Sequence, residues 1–448
     1  MSLLDRWFGF SRAGSSLRAE VRGGLVTFLA MSYIIFVQPA VLAGAGMDFG
    51  AVMVATCISS ALATLVMAFW ANYPVALAPC MGENFFFVSV VTGVVTGSKV
   101  PWQTALAAVF VSGVLFLILS LVKLREALID KLPASLKFAI PAGIGLFIAF
   151  IGMQNLGLVV AAPGSMVRLG NLASGPVLLG LGGLLLCAVL MTLGVAGAML
   201  WSMLAVLAAG LLFGFIRWQG VVDVPPDPRP VLLQLDFAGL LDLAMLPVVV
   251  LFLFMVLFDT VGTLVGVGQQ AGLMKDGKLE RASRALAADA IGTTAGALLG
   301  TSTVSSYIES AAGVAAGART GLASVVTALC FLAALFFYPL IKMAGGGVAL
   351  ADGQVLQPVT APVLIAVGAL MLSSARHIEW DDFSEALPAF LVLAGIPLTY
   401  SIADGLALGF VAWPLIKLLS GRARQIPWLV LVLAVLLGGV FVMRAMLG

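Results

Sequence analysis

The sequence predicts an all-α polytopic membrane protein, a seven-plus-seven inverted repeat with two discontinuous half-helix spans, the third and the tenth. Three observations predict it. Of 448 residues, 62% are hydrophobic and only 10% are charged, far below the roughly one quarter that covers a soluble domain. Apolar runs of about the twenty residues that one crossing needs recur along the chain, seven before a proline-rich polar stretch and seven after it. An odd number of crossings per half sends the two halves into the bilayer in opposite directions, which is the arithmetic of an inverted repeat.

Residues 1–20 carry Arg6, Arg12 and Arg18 and no apolar core ahead of a small-residue cleavage site, so they read as an amphipathic cytoplasmic tail and not a signal peptide. The first seven spans fall at about 21–44, 51–70, 74–95, 102–122, 137–157, 174–194 and 196–216. A polar linker, 217–244, contains Pro225, Pro226, Pro228 and Pro230. The second seven fall at about 245–268, 284–300, 303–318, 321–344, 358–375, 384–400 and 402–419. A last apolar segment, about 427–446, leaves open whether it crosses or lies against the bundle.

Lys/Arg bias orients the chain. The tail, the loop with Lys123, Arg125 and Lys131, the loop with Lys275, Lys278, Arg281 and Arg284, and the segment with Lys417, Arg422 and Arg424 all fall on one side if the N-terminus is cytoplasmic. The linker, with Asp223, Asp227 and Asp236 against Arg217 and Arg229, falls outside. A net charge of +2 without a basic block implies no nucleic-acid partner. Cys57, Cys80, Cys187 and Cys330 sit in apolar runs without ligand spacing, and the single His377 lies in a polar loop, so no disulfide framework, metal site or cofactor is expected.

Two spans do not read as ordinary helices. Tyr73-Pro-Val-Ala-Leu-Ala-Pro-Cys-Met-Gly-Glu-Asn-Phe places prolines at 74 and 79, and Gly300-Thr-Ser-Thr-Val-Ser-Ser-Tyr-Ile-Glu is rich in residues that favour extended chain. Each predicts a short extended stretch feeding a half-helix, starting near Gly82 and near Glu309. Irregular backbone at membrane depth is tolerated only where protein or a cavity covers it, and a matched pair of broken spans points to a transporter's binding site.

Acids deep in apolar runs are few: Glu83, Asp259, Asp289 and Glu309, with Asp404 nearer an interface. Each costs about 2.5 to 3.5 kcal/mol at a helix centre, and no Lys or Arg in the same runs offsets it. Substrate binding, proton holding and a structural cap on a broken helix are the competing readings. Thr263 lies one helical turn after Asp259 and shares its face. Gly262 and Gly266 form a small-xxx-small ridge that predicts close helix packing. Facing half-helix N-termini would offer backbone donors, with Asn84 and Ser310 adding polar side chains. Acceptors at Asp259 and Glu309, Glu83 nearby and an aromatic face from Phe85 or Phe86 suit a flat heterocycle with several N–H donors.

Four stretches carry a resemblance: Thr27-Phe-Leu-Ala-Met-Ser-Tyr-Ile-Ile-Phe-Val-Gln-Pro, Ala78-Pro-Cys-Met-Gly-Glu-Asn-Phe-Phe-Phe, Phe258-Asp-Thr-Val-Gly-Thr-Leu-Val-Gly, and Ala288-Asp-Ala-Ile-Gly-Thr-Thr through Arg319-Thr-Gly. In order and over nearly the whole chain, they resemble the nucleobase/ascorbate transporter family of nucleobase-cation symporters, in its adenine/guanine/hypoxanthine permease branch. The resemblance implies a core domain of 21–122 and 245–344, and a gate and dimerisation domain of 123–216 and 345–448 that includes the last apolar segment. It places the substrate carboxylates at Asp259 and Glu309 and the third-span Asn at Asn84. It implies an elevator-like motion, a homodimer in the cell membrane, a purine substrate and a coupling cation: a proton held by Asp259, Asp289 or Glu309, with sodium as the alternative. Cys80 stands where that branch usually has glycine, and Glu83-Asn84-Phe85 where it has an apolar residue followed by Asn-Ala. Uracil carriers place a histidine at the position of Thr263, which argues against uracil here.

The competing functions are an inorganic-anion or other nucleobase carrier of the same fold, a channel, and an intramembrane aspartyl protease using Asp259 and Asp289. Acids at the half-helix tips repel anions. The protease chemistry needs two carboxylates sharing a proton, and its second aspartate normally sits in Gly-x-Gly-Asp, whereas here the setting is Ala287-Ala-Asp-Ala.

Overall fold

A computed structural model describes residues 3–121, 133–242, 244–275, 278–350 and 353–447, without the side chains of 3, 275, 278 and 440–447. The basic loop of Lys123, Arg125 and Lys131 lies outside the described residues. A short α1 (Leu3–Phe8) precedes span one, two helices α2 (Leu17–Met31) and α3 (Ile34–Ala43) interrupted at Ser32 and Tyr33. Then follow α4 (Phe49–Val66), strand β1 (Leu77–Pro79), α5 (Met81–Val91), α6 (Trp102–Leu121), α7 (Ala134–Leu156), a hairpin of β2 (Val159–Ala162) and β3 (Met166–Leu169), α8 (Gly175–Thr192) and α9 (Ala198–Leu212). The second half opens with α10 (Met245–Gln270), the hairpin β4 (Met274–Lys275) and β5 (Lys278–Leu279), α11 (Ala282–Leu299), strand β6 (Val304–Ser306) and α12 (Ser310–Ala315). It ends with α13 (Gly321–Ala334), α14 (Tyr338–Gly345), the hairpin β7 (Val348–Ala349) and β8 (Val355–Leu356), α15 (Ala361–Leu372), α16 (Phe383–Thr399), α17 (Ile402–Leu419) and α18 (Trp428–Leu447).

Among the described residues, eight helices are long and apolar enough to cross alone. The rest of the fourteen crossings are shorter helices, the strand-helix composites β1–α5 and β6–α12, and α11, whose apolar run is diluted by Arg284 and Asp289. α18 has 20 residues, about 30 Å at 1.5 Å per residue, which is the thickness of a hydrocarbon core. It buries Leu429, Val430, Leu433 and Leu437 and packs on α17 and on α10, so the last segment lies along the bundle at the length of a crossing.

Two bundles emerge from the packing. α11 lies on α4 and α6, and α13 on α2 and α4, with α12 against α2. Separately, α15 and α16 lie on α7, α17 on α16, and α8 on α9 and α15. Glycines let the first bundle close backbone to backbone: a Cβ on Gly24 would stand 2.3 Å from Ala323 O, and one on Gly313 2.0 Å from Thr27 Oγ1 and 2.5 Å from Gly23 O. Gly313→Val has no room on either side and is expected to remove most of the folded transporter from the membrane, read as loss of monodisperse protein after detergent extraction. The ridge of Gly262 and Gly266 corrects its sequence reading. A Cβ on Gly262 meets nothing within 4 Å, and on Gly266 only Ile308 at 3.5 Å, so the ridge borders open space and no helix packs on it.

Residues 3–20, the tail of the sequence reading, dock on the first bundle. Phe8 and Phe10 bury against Leu322, the Asn72 amide donates to Phe8 O (2.9 Å), and the buried Glu20 carboxylate accepts from Arg319 N (2.9 Å) and Thr320 N (3.3 Å). The linker is likewise laid down as a strap. Asp223 N donates to Phe336 O (2.9 Å), Leu233 N to Leu298 O (2.8 Å), Asp236 N to Gln103 O (3.2 Å), and Thr104 Oγ1 to Asp236 Oδ2 (2.8 Å). Val231 is fully buried beneath it against Gly300.

Lys417 corrects another expectation. It reads as a loop cation, yet its side chain is 3% exposed, inside α17. Its Nζ pairs with Glu385 Oε1 (2.8 Å), donates to Ser384 Oγ (2.7 Å) and lies 5.4 Å from the centroid of the Trp413 ring. Trp413 Nε1 donates to Glu385 Oε2 (3.0 Å), and Arg422 pairs with Asp382 (2.6 Å) at the surface. Hydrogen bonds from the Ser384 hydroxyl and amide, with the Arg422 guanidinium, hold the Asp382 carboxyl down to about 2. A depressed carboxylate adds stability above its ordinary range, and here that stability is lost as pH falls through about 2.

Candidate functional site

The two broken spans meet through their strands. β1 and β6 pair antiparallel with Leu77 opposite Ser306, Ala78 opposite Ser305 and Pro79 opposite Val304. Cys80 N donates to Thr303 O (2.9 Å) and Tyr307 N to Ala76 O (3.0 Å), which extends the ladder at both ends. This pairing satisfies backbone groups at a depth where no water would. The Tyr307 hydroxyl donates to Pro79 O (2.5 Å) and closes the joint.

Strand alternation decides where the acids stand. Ser305 points to one side and donates to Asp259 Oδ2 (2.6 Å), which also accepts from the Cys80 thiol (3.3 Å). Ser306 points to the other, where its hydroxyl donates to Asp289 Oδ1 (2.9 Å) and its amide to Asp289 Oδ2 (3.3 Å). Asp259 is half-buried and Asp289 sealed, so β6 separates the two aspartates. Glu309, also half-buried, accepts from the Tyr33 hydroxyl at Oε1 (2.8 Å). Glu83 is 2% exposed in the first turn of α5, three residues after Cys80 and near enough to Asp259 for their charges to interact. Beside Asp259 and Glu309 the protein opens: Gly262 is exposed, Val265 is 42% exposed and Ile308 52%.

The other sequence candidates take different places. Asn84 is fully buried, its amide donating to Gln38 Oε1 and its carbonyl accepting from Ser302 Oγ. The Gln38 amide in turn reaches Thr301 Oγ1 (2.9 Å) and Ser302 Oγ (3.2 Å). Ser310 Oγ accepts from Ala76 N (3.0 Å). Asn84 and Ser310 therefore hold the joint together, and neither faces the open lane. Phe85 is buried with its ring edge-on to Phe147 of α7 at 6.2 Å, at the seam between the two bundles. Thr263 is buried one turn beyond Asp259.

The expectation of free half-helix amides fails at α12. It spans six residues, and its first amides are taken by carbonyls of the preceding turn: Ser310 N by Tyr307 O (3.1 Å), Ala311 N by Ile308 O (2.9 Å) and Ala312 N by Glu309 O (3.0 Å). Tyr33, Gln38, Ser302, Ser305 and Tyr307 were not singled out from sequence. A polar signal existed for Tyr33 and Gln38, which lie five apart in the apolar run 31–43.

The sequence profile described as Permease family matches residues 18–408. The chain belongs to this family, the nucleobase/ascorbate transporters. Among relatives of this transporter, the guanine/hypoxanthine permease PbuG of Bacillus subtilis is 44% identical over 435 residues, 94% of this chain and 96% of PbuG. The adenine permease AdeQ of Escherichia coli is 40% identical over 434 residues, 97% and 95% of the two chains. A putative permease of Methanocaldococcus jannaschii is 48% identical over 438 residues, 97% of each. Among solved structures, the transmembrane domain of a cyanobacterium bicarbonate transporter, BicA, matches with TM-score 0.63 at 15% identity, covering 88% of this chain and 97% of that one. That likeness concerns the fold alone, the seven-plus-seven inverted repeat that the sequence predicts. The family consists of permeases, which removes the protease reading, and Asp259 and Asp289 stand on opposite sides of β6.

Proposed function

We propose that this transporter imports purine nucleobases of the adenine/guanine/hypoxanthine class by symport with a proton. One observation carries the reading. At the joint of the two broken spans, beside an open lane, Asp259 has one oxygen anchored by the protein and one with no partner among the described residues, and Glu309 is held by the Tyr33 hydroxyl and its own backbone amide. Carboxylates accept strongly from ring N–H groups, and the relatives named above as guanine/hypoxanthine and adenine permeases support a purine. Phe85 would stack on the base, with Thr263 and Glu83 flanking Asp259, while Asn84 and Ser310 keep the joint in shape. Asp259, Glu309 and the sealed Asp289 are the groups that would hold the proton, linked through Ser305 and Ser306.

The bundle holding α2–α6 and α10–α14 would move as an elevator-like core against the bundle of α7–α9 and α15–α17. The latter would also form a homodimer in the cell membrane, with the N-terminus cytoplasmic. One charge moving down 100 mV gains about 2.3 kcal/mol, enough for roughly a 50-fold gradient. In cells lacking their own carriers, labelled hypoxanthine is expected to accumulate and labelled sulfate not. Accumulation should collapse with a protonophore and survive removal of sodium. Sulfate uptake in place of hypoxanthine overturns the substrate, and dependence on sodium alone overturns the ion.

A further inference from the structure

Building on the purine reading, we propose that Ser305, Cys80 and Tyr33 are specificity-determining residues that turn Asp259 and Glu309 into single-donor acceptors, so that the 2-amino group of guanine goes unread. A carboxylate with both oxygens free accepts two parallel N–H donors at once. Guanine offers such a pair, its ring N1–H beside its exocyclic N2–H donor, while hypoxanthine has the N1–H alone. Neither acid offers two free oxygens. Asp259 Oδ2 already accepts from Ser305 Oγ at 2.6 Å and faces the Cys80 thiol at 3.3 Å, whose single proton Glu83 also draws on. Glu309 Oε1 accepts from the buried Tyr33 hydroxyl at 2.8 Å, and the same carboxylate also accepts from its own backbone amide. What remains is at most one oxygen on each of two separate acids. That set matches one imidazole N–H and one lactam N–H, which hypoxanthine and guanine share, and it leaves the third donor of guanine without a partner. Cys80, Ser305 and Tyr33 act through the acids and are positioning residues.

The test uses the full-length transporter in cells lacking their own purine carriers, reading the inhibition constants of guanine and hypoxanthine against labelled hypoxanthine. The wild type is expected to hold the two within about three-fold. The double variant Ser305→Ala/Cys80→Ala frees Oδ2 of Asp259, and Tyr33→Phe frees Oε1 of Glu309. The variant at the acid that faces the lactam edge is expected to move the ratio about ten-fold or more towards guanine, the effect of one further hydrogen bond to a charged acceptor, and the variant at the acid facing the imidazole N–H to leave it unmoved. The ratio does not depend on how much transporter folds, so a merely structural role would leave it unmoved. If either variant transports too slowly, the same ratio is read from equilibrium binding of the two bases to purified protein. A wild type favouring guanine more than ten-fold, or ratios unchanged in both variants, overturns the proposal while leaving purine transport standing. A wild type that takes up neither base overturns both.

Discussion

Asp259→Asn should abolish purine uptake, with Vmax/KM falling about 100-fold or more, while the protein stays folded and in the membrane at wild-type abundance. The substitution is nearly isosteric, and the asparagine carbonyl can still accept from Ser305 and Cys80, so the β1–β6 joint keeps its anchor. What changes is the oxygen without a protein partner, which becomes an amide. The charged acceptor is lost, worth about 1.5 to 3 kcal/mol, and a donor is turned towards the N–H of the base, adding the penalty of a buried donor left unsatisfied. Glu309→Gln makes the same argument through Tyr33. Initial rates in vesicles normalised to transporter content are the measurement. Undiminished uptake by either variant would remove that acid from the site.

Lys417→Ala should cost about 3 kcal/mol or more of stability without touching the site. Removing one partner of a buried ion pair leaves the other charge without compensation. Here Glu385 would keep only the Trp413 indole, and Ser384 would lose a donor, at the contact that binds α16 to α17. The apparent melting temperature of the detergent-purified protein should fall clearly, with the guanine to hypoxanthine ratio of any surviving transport unchanged. A Glu385→Gln/Lys417→Met pair, which removes both charges together, should recover most of the loss. Equal melting temperatures for wild type and Lys417→Ala would show that the pair contributes nothing net.

The parts legible in the sequence are those that depend on composition along one segment. Spans were readable because lipid demands runs of apolar residues, and the two breaks because Pro74 and Pro79 forbid a regular helix while Thr301 to Ser306 favours extended chain. The acids stood out because charge is rare at depth. What stayed hidden depends on which residues meet across long separations. Tyr33 looks like one more aromatic in an apolar run until Glu309, 276 positions away, is set against it. Lys417 looks like a helix-end cation because Arg422 and Arg424 follow it, and only the return of α16 supplies Glu385. The Gly262 and Gly266 spacing is the same whether a helix or an open lane lies opposite, so the sequence cannot separate the two cases. Asn84 and Ser310 carried the right polarity for a ligand, but their partners in the joint are Gln38, Ser302 and the Ala76 amide.

The strap also sets a length. From Gln219, whose amide donates to Met343 Sδ of α14 (3.3 Å), the linker is fastened to the first bundle, and α9 of the second bundle ends at Leu212. Any difference in height that opens between the bundles has to be taken up at this connection by residues 213–218, in which Gly214 holds a left-handed φ of 74°. Six residues reach at most about 20 to 22 Å when drawn straight, roughly two thirds of the thickness of a hydrocarbon core. The leash therefore sets an upper limit on how far the two bundles could shift against each other at this connection without pulling the strap from its seat.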